Sequence, residues 1–161
     1  MNPLLILGLY GGALVTNYYA KRDKGLSRAL ELSGDKGIVN IGSGCDWSGS
    51  AMAICDLPQV VANVDVSIAD TCPKCTEVNL DQMVVLPYYE GQFDVAFASH
   101  VLEHLDNWQD VLSECERVAD HVIIVLPHPF SINSYFNHLH KQHFGFQDMD
   151  KMKSYKTEVY A

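Results

Sequence analysis

Basic residues are nearly missing from the middle of this chain. Between Ala29 and His140 there are three, Lys36, Lys74 and Arg117, against sixteen acidic ones, and the 161-residue chain carries a formal charge of -9. A phosphate backbone is held by a basic surface, so this stretch would repel DNA or RNA and argues against a nucleic-acid partner. Internal repeats and low-complexity tracts are also lacking. With 48% hydrophobic residues the chain can fold round a core and is not a disordered polymer. The five cysteines, Cys45, Cys55, Cys72, Cys75 and Cys115, are odd in number and scattered. Such a set is no disulfide framework and fits thiols kept reduced in a cytoplasm. Cys72-Pro73-Lys74-Cys75 has the spacing of half a zinc site. The other half is missing unless His138, His140 or His143 folds back to it, so the expectation is no metal.

Charge is absent altogether from Pro3 to Ala20, PLLILGLYGGALVTNYYA. As a helix this run would be roughly 27 Å long, close to the hydrocarbon thickness of a bilayer. Tyr18 and Tyr19 stand where an interfacial aromatic belt would, and Lys21, Arg22 and Lys24 follow, which puts the rest of the chain in the cytoplasm. Gly8, Gly12, Thr16 and Ala20 place small side chains on one face, where a second membrane helix can approach. Residues 1–24 are therefore expected to be a membrane anchor and residues 25–161 a cytoplasmic domain. A buried helix is the competing reading. A cleaved signal peptide is a weaker one, since the run lacks a basic start and a small-x-small cleavage site.

The pattern beyond the anchor is that of an α/β domain. Gly25 to Leu32 reads as an amphipathic helix. Gly37–Ile41, Gln59–Val66, Glu77–Leu80, Phe93–Ala98 and His121–Leu126 read as strands, and Asn107 to Val118 as a helix with apolar residues every three or four positions. Apolar strands separated by helices or loops imply a parallel sheet covered on both faces, which binds ligands at the carboxyl ends of its strands. The residues that follow the strands are Gly42, Ser43 and Gly44, then Asp65, Asp81, Ser99 with His100, and Pro127 with His128. A glycine turn exposes backbone N–H groups, an acid after the second strand can accept both ribose hydroxyls, and a further carboxylate can reach an adenine amino group. Together these describe a nucleoside pocket. Asp94, at the start of a strand, is expected to be structural.

At this point four ordered blocks resemble a known family. VNIGSG with NVDVS, LPYYEGQFDVAFASHVLEHLDNW and VLSECERVADHVIIVLP, over about residues 36 to 130, look like class I S-adenosylmethionine-dependent methyltransferases. They are nearest to the branch with an LNLGCG-type glycine motif and a SHVLEH stretch. The resemblance implies a Rossmann-like fold, S-adenosylmethionine as cofactor, and contacts from Asn40, Gly42, Ser43, Gly44, Asp65, Asp81, Ser99 and His100. His100 and His104 are the candidate catalytic bases.

The sequence also departs from the family. Asn40 stands where an acidic residue is frequent, Asp46 replaces the third glycine, and Ala119-Asp120 replaces a longer turn. Only about thirty residues follow Pro129, where a full class I fold has two more strands; Thr157 to Tyr160 fits one. The expected activity is methyl transfer to a small or lipid-like acceptor near a membrane. The expected pocket rim runs from Asp46 and Trp47 through His100, His104 and His128 to residues 130–144. The alternative is a catalytically degenerate subunit of a membrane assembly, because a fold outlives its chemistry.

Overall fold

Strands that are apolar at nearly every position must bury both faces, and this chain does so with one six-stranded sheet. In the computed structural model, which describes residues 19–44, 54–65, 74–82, 85–129 and 139–161, the strands are β1 (Ile38–Ile41), β2 (Val60–Asp65), β3 (Cys75–Glu77), β4 (Phe93–Ser99), β5 (Ala119–Val125) and β6 (Thr157–Tyr160). They lie in the order β3-β2-β1-β4-β5-β6, and every neighbouring pair is parallel. The order reverses between β1 and β4. The carboxyl ends of these two strands therefore flank the position where such sheets take their ligands.

Side chains alternate across the sheet with the pleat. On one face Val39, Ile41, Val64, Ala96, Ala98, Val122 and Ile124 pack against α2 (Trp108–Val118) and α3 (Phe146–Met152), through Val111, Leu112, Cys115, Val118, Met149 and Met152. On the other, Ile38, Val60, Val95, Phe97, Ile123 and Val125 meet Ala29, Leu26 and Leu30 of α1, residues 19–32. The approach of α1 is close: a Cβ on Gly25 would stand 2.7 Å from Val125 Cγ2. The helix therefore runs unbroken through the expected boundary at residue 24 and belongs to the sheet. Residues 1–18, which hold most of the proposed anchor, lie outside the described residues. Among the described residues no helix is long and apolar enough to cross a membrane.

Two expectations are corrected here. The third strand is Cys75–Glu77 and not Glu77–Leu80. Val78 and Leu80 are 1% and 3% exposed, so their apolar character reflects burial in a loop over the core and not pairing in the sheet. The cysteines are not all reduced thiols, because Cys55 and Cys75 are disulfide-bonded. The fold draws both toward the turn after β1: Cys55 Sγ is 3.9 Å from Ser43 O, and Cys75 Sγ is 4.0 Å from Ser43 Oγ. Linear spacing gives no hint of this. A disulfide sulfur is not a thiolate ligand, so Cys75 cannot serve the half zinc site; Cys45 and Cys72 lie outside the described residues. Thr157–Tyr160 does form a strand, and it joins β5 directly.

The end of the sheet where the strands begin is held by charged side chains bonded to backbone. Asp94 Oδ2 accepts from Gly34 N–H at 2.8 Å and Gly37 N–H at 2.9 Å, the structural role expected of it. Arg117 donates to Tyr88 O at 2.9 Å, to Leu86 O at 3.0 Å and to both oxygens of Glu114 at 2.7 Å. The Arg117 guanidinium holds the Glu114 carboxyl below the usual range, with the Leu86 N–H adding to the effect.

Candidate functional site

The site is built from the three chain segments that leave β1, β2 and β4 at their carboxyl ends. After β1 the chain turns through Gly42 and Gly44, both left-handed with φ of 61° and 58°. That region is open to glycine and strained for other residues. At Gly42 the need is doubled, because a Cβ there would lie 2.5 Å from Val101 Cγ2. Ser43 N–H donates to Val64 O at 2.9 Å, which ties the turn to β2.

Asp65, the last residue of β2, is 8% exposed. Its Oδ2 accepts from Ser43 Oγ–H at 2.9 Å and from Gly44 N–H at 2.6 Å. The predicted ribose acid and the predicted glycine turn thus form a single clasp, with each fixing the other. A carboxylate bonded in this way is pre-set in one orientation before any ligand arrives.

Ser99 closes β4, and His100 follows it with φ of 57°, one of two non-glycine residues in the left-handed region among those described. His100 N–H donates to Val125 O at 2.9 Å. Its Nδ1 lies 3.2 Å from Glu103 Oε1. Glu103 sits in a 3-10 turn, Leu102–His104, and is fully buried. His104 Nδ1 lies 2.9 Å from Leu139 O, and its ring meets that of His140 edge-on at 4.8 Å. A 3-10 turn does not stack residues four apart, so His100 and His104 do not act as a pair; one turns to Glu103 and the other to the 139–140 segment.

The structure sets two predicted contacts apart. The Asn40 amide donates to Asn63 Oδ1 at 3.1 Å, on the α1 face of the sheet, where it joins β1 to β2. Asp81 is exposed, four residues beyond β3, and pairs with Lys141 Nζ at 2.8 Å, which in turn lies 3.3 Å from Asp106. The hydrogen bond to Asp81 is the main reason the Lys141 ammonium holds its proton above the usual range. Of the aromatic and histidine rim, residues 130–138 lie outside the described residues. Phe144 packs on Trp108 at 5.2 Å and is part of the core, and His128 meets Phe146 at 5.9 Å. Glu103, embedded in the SHVLEH block, is the residue sequence reasoning passed over. Its signal was a carboxylate directly after the apolar pair Val101-Leu102.

Residues 41–121 match the sequence family described as "Methyltransferase domain". No curated protein matches the chain. Among solved structures, a SAM-dependent methyltransferase from Thermotoga maritima, a possible histamine N-methyltransferase, aligns with 15% identity over 91% of this chain and 74% of its own, with a TM-score of 0.59. A proposed methyltransferase from Bacillus halodurans aligns with 16% identity over 81% of this chain and 65% of its own, with a TM-score of 0.53. The YcgJ protein of Bacillus subtilis has 15% identity and a TM-score of 0.48, with 64% of this chain and 47% of its own covered. The chain therefore spans from about half to three quarters of the length of these structures. At such identities the likeness is one of fold.

Proposed function

Because the chain belongs to the methyltransferase-domain family, we propose that it takes S-adenosylmethionine as its cofactor and transfers the cofactor's methyl group to a small or lipid-like acceptor beside a membrane. The observation that carries this reading is the clasp between Asp65 and the Gly42-Ser43-Gly44 turn, at the reversal of strand order and next to His100. The residues fit the cofactor. The glycine turn would let a ligand approach the backbone closely, Asp65 would take the ribose hydroxyls, and the segment after β4 would border the methionine part. The cofactor brings a methyl already activated on a sulfonium, so the chain's task is to hold and orient. His100, fixed by Glu103, positions rather than abstracts.

Acidic charge from Ala29 to His140 disfavours phosphate-rich acceptors and leaves neutral or cationic ones with an apolar body. The uncharged run Pro3 to Ala20, with the basic residues after it, would keep the domain at a bilayer surface facing the cytoplasm. Calorimetry on the full chain should give micromolar binding of S-adenosylmethionine or its demethylated product. Asp65→Ala should weaken it by about 1.5–3 kcal/mol, the range for bonds to a charged group. Methylation of extracted lipids, small metabolites and RNA should then favour the first two. Transfer to RNA alone would overturn the acceptor. Absence of heat at high cofactor concentration would instead favour a catalytically silent subunit.

A further inference from the structure

Glu103 is fully buried, and its Oε2 has no hydrogen-bond partner among the described residues, while Oε1 faces His100 Nδ1 at 3.2 Å. A carboxylate oxygen sealed from water without a donor is costly unless something of positive charge is meant to meet it. Two imidazoles stand near the Glu103 carboxylate. The ligand atoms offered by Glu103, His104 and His140 all lie within 4.8 Å of one another. We propose that these three residues bind a divalent transition-metal ion, best matched by zinc, with a coordination position left open.

The surroundings suit that role. A carbonyl oxygen only accepts, so the 2.9 Å contact of His104 Nδ1 with Leu139 O requires the proton on Nδ1 and leaves the Nε2 lone pair for a metal. Bonding the distal ring nitrogen to a carbonyl is how proteins orient a ligating imidazole. Glu103 O accepts from Lys141 N–H at 2.8 Å and Gln142 N–H at 2.9 Å, so the segment that carries His140 is bound to the turn that carries the other two. Neighbouring ligands on a tetrahedral ion sit about 3.4 Å apart, so binding an ion would draw the three ligand atoms closer together. One carboxylate with two imidazoles is a donor set for zinc or its transition-metal neighbours and not for magnesium, and three protein ligands leave a fourth place for an exchangeable oxygen. Val101, next to the turn, lies against Gly42, so the open place would border the methyl-transfer site. Its use there, to hold an acceptor hydroxyl and ease loss of its proton, rests on the methyltransferase reading; the binding itself does not.

The test uses the full chain, stripped with chelator and titrated with cobalt(II) and then with zinc as competitor. One equivalent of cobalt should give visible d–d bands that zinc abolishes. Glu103→Gln and His140→Ala should each weaken cobalt binding by roughly a hundred-fold, and His121→Gln, at the other end of the sheet, should leave it unchanged. In the unmutated chain, zinc should also shift the ring resonances of His104 and His140, and that of His100 through its bond to Glu103, while leaving His121 unmoved. That second measurement decides the matter if a variant misfolds. No stoichiometric bands in a natively folded chain, or equal binding by all variants, overturns the site. Cofactor binding measured on the same samples separates the two readings: loss of cobalt with cofactor retained sinks only the metal, and the converse only the cofactor.

Discussion

The two ends of the sheet solve opposite problems with similar residues. Where the strands begin, several charged groups are matched to backbone or to an opposite charge: Asp94 to two amides, Arg117 to two carbonyls and Glu114, Lys36 to Asp120. Where the strands finish, carboxylates are drawn inside the protein. Asp65 is nearly buried, and Glu103 wholly so with one oxygen unmatched among the described residues. Satisfied polar groups stabilise, whereas strained or half-satisfied ones persist where a ligand is to complete them. The first end therefore reads as scaffold and the second as site.

Substitutions can break that division. The largest effect is expected at Gly42→Ala, which adds left-handed strain and a 2.5 Å approach to Val101. Cofactor affinity should fall beyond calorimetric detection. Ordinary affinity in this variant would mean that the turn is not the cradle.

Arg117→Met should do the reverse. It removes bonds to Leu86, Tyr88 and Glu114, and should lower stability by about 1.5 kcal/mol by chemical denaturation, with cofactor affinity unchanged. The Glu114 carboxyl is held below its ordinary range in the folded chain. Its contribution is thus present above the unfolded value and lost as pH falls through the folded one, so the gap between variant and parent should narrow in acid. A gap that widened in acid would show that Glu114 is not the partner that matters. Lys36→Met should have the least effect, since both members of its pair with Asp120 are about half exposed; the melting midpoint should not move measurably.

The scaffold was largely legible in the residues themselves. Four strands and the helix from Trp108 to Val118 stand close to where apolar runs and periodicity put them, because burial on both sides leaves a continuous signal. β3 was misplaced, since three paired residues are too few to dominate a neighbourhood in which Val78 and Leu80 are buried for another reason. At the site, the turn and Asp65 were legible because each follows a strand end directly. Asn40 was not, because the strand's pleat directs its amide to Asn63. Nor was the joining of Glu103 and His104 to His140, which depends on a segment more than thirty residues away folding back. Contacts of that kind leave no periodic trace.

Cys115 lies in α2 at 0% exposure beneath the sheet, the one free cysteine among those described, and burial pushes its thiol up to about 12. A thiol of that kind is almost never ionised at neutral pH and has no path to a reagent while the helix is seated. Its alkylation can then proceed only through openings that lift α2 from the sheet. The rate at which a maleimide consumes it is thus a clock for that motion, read without any mutation, and ligands that bind only the closed form should slow it in proportion to their occupancy.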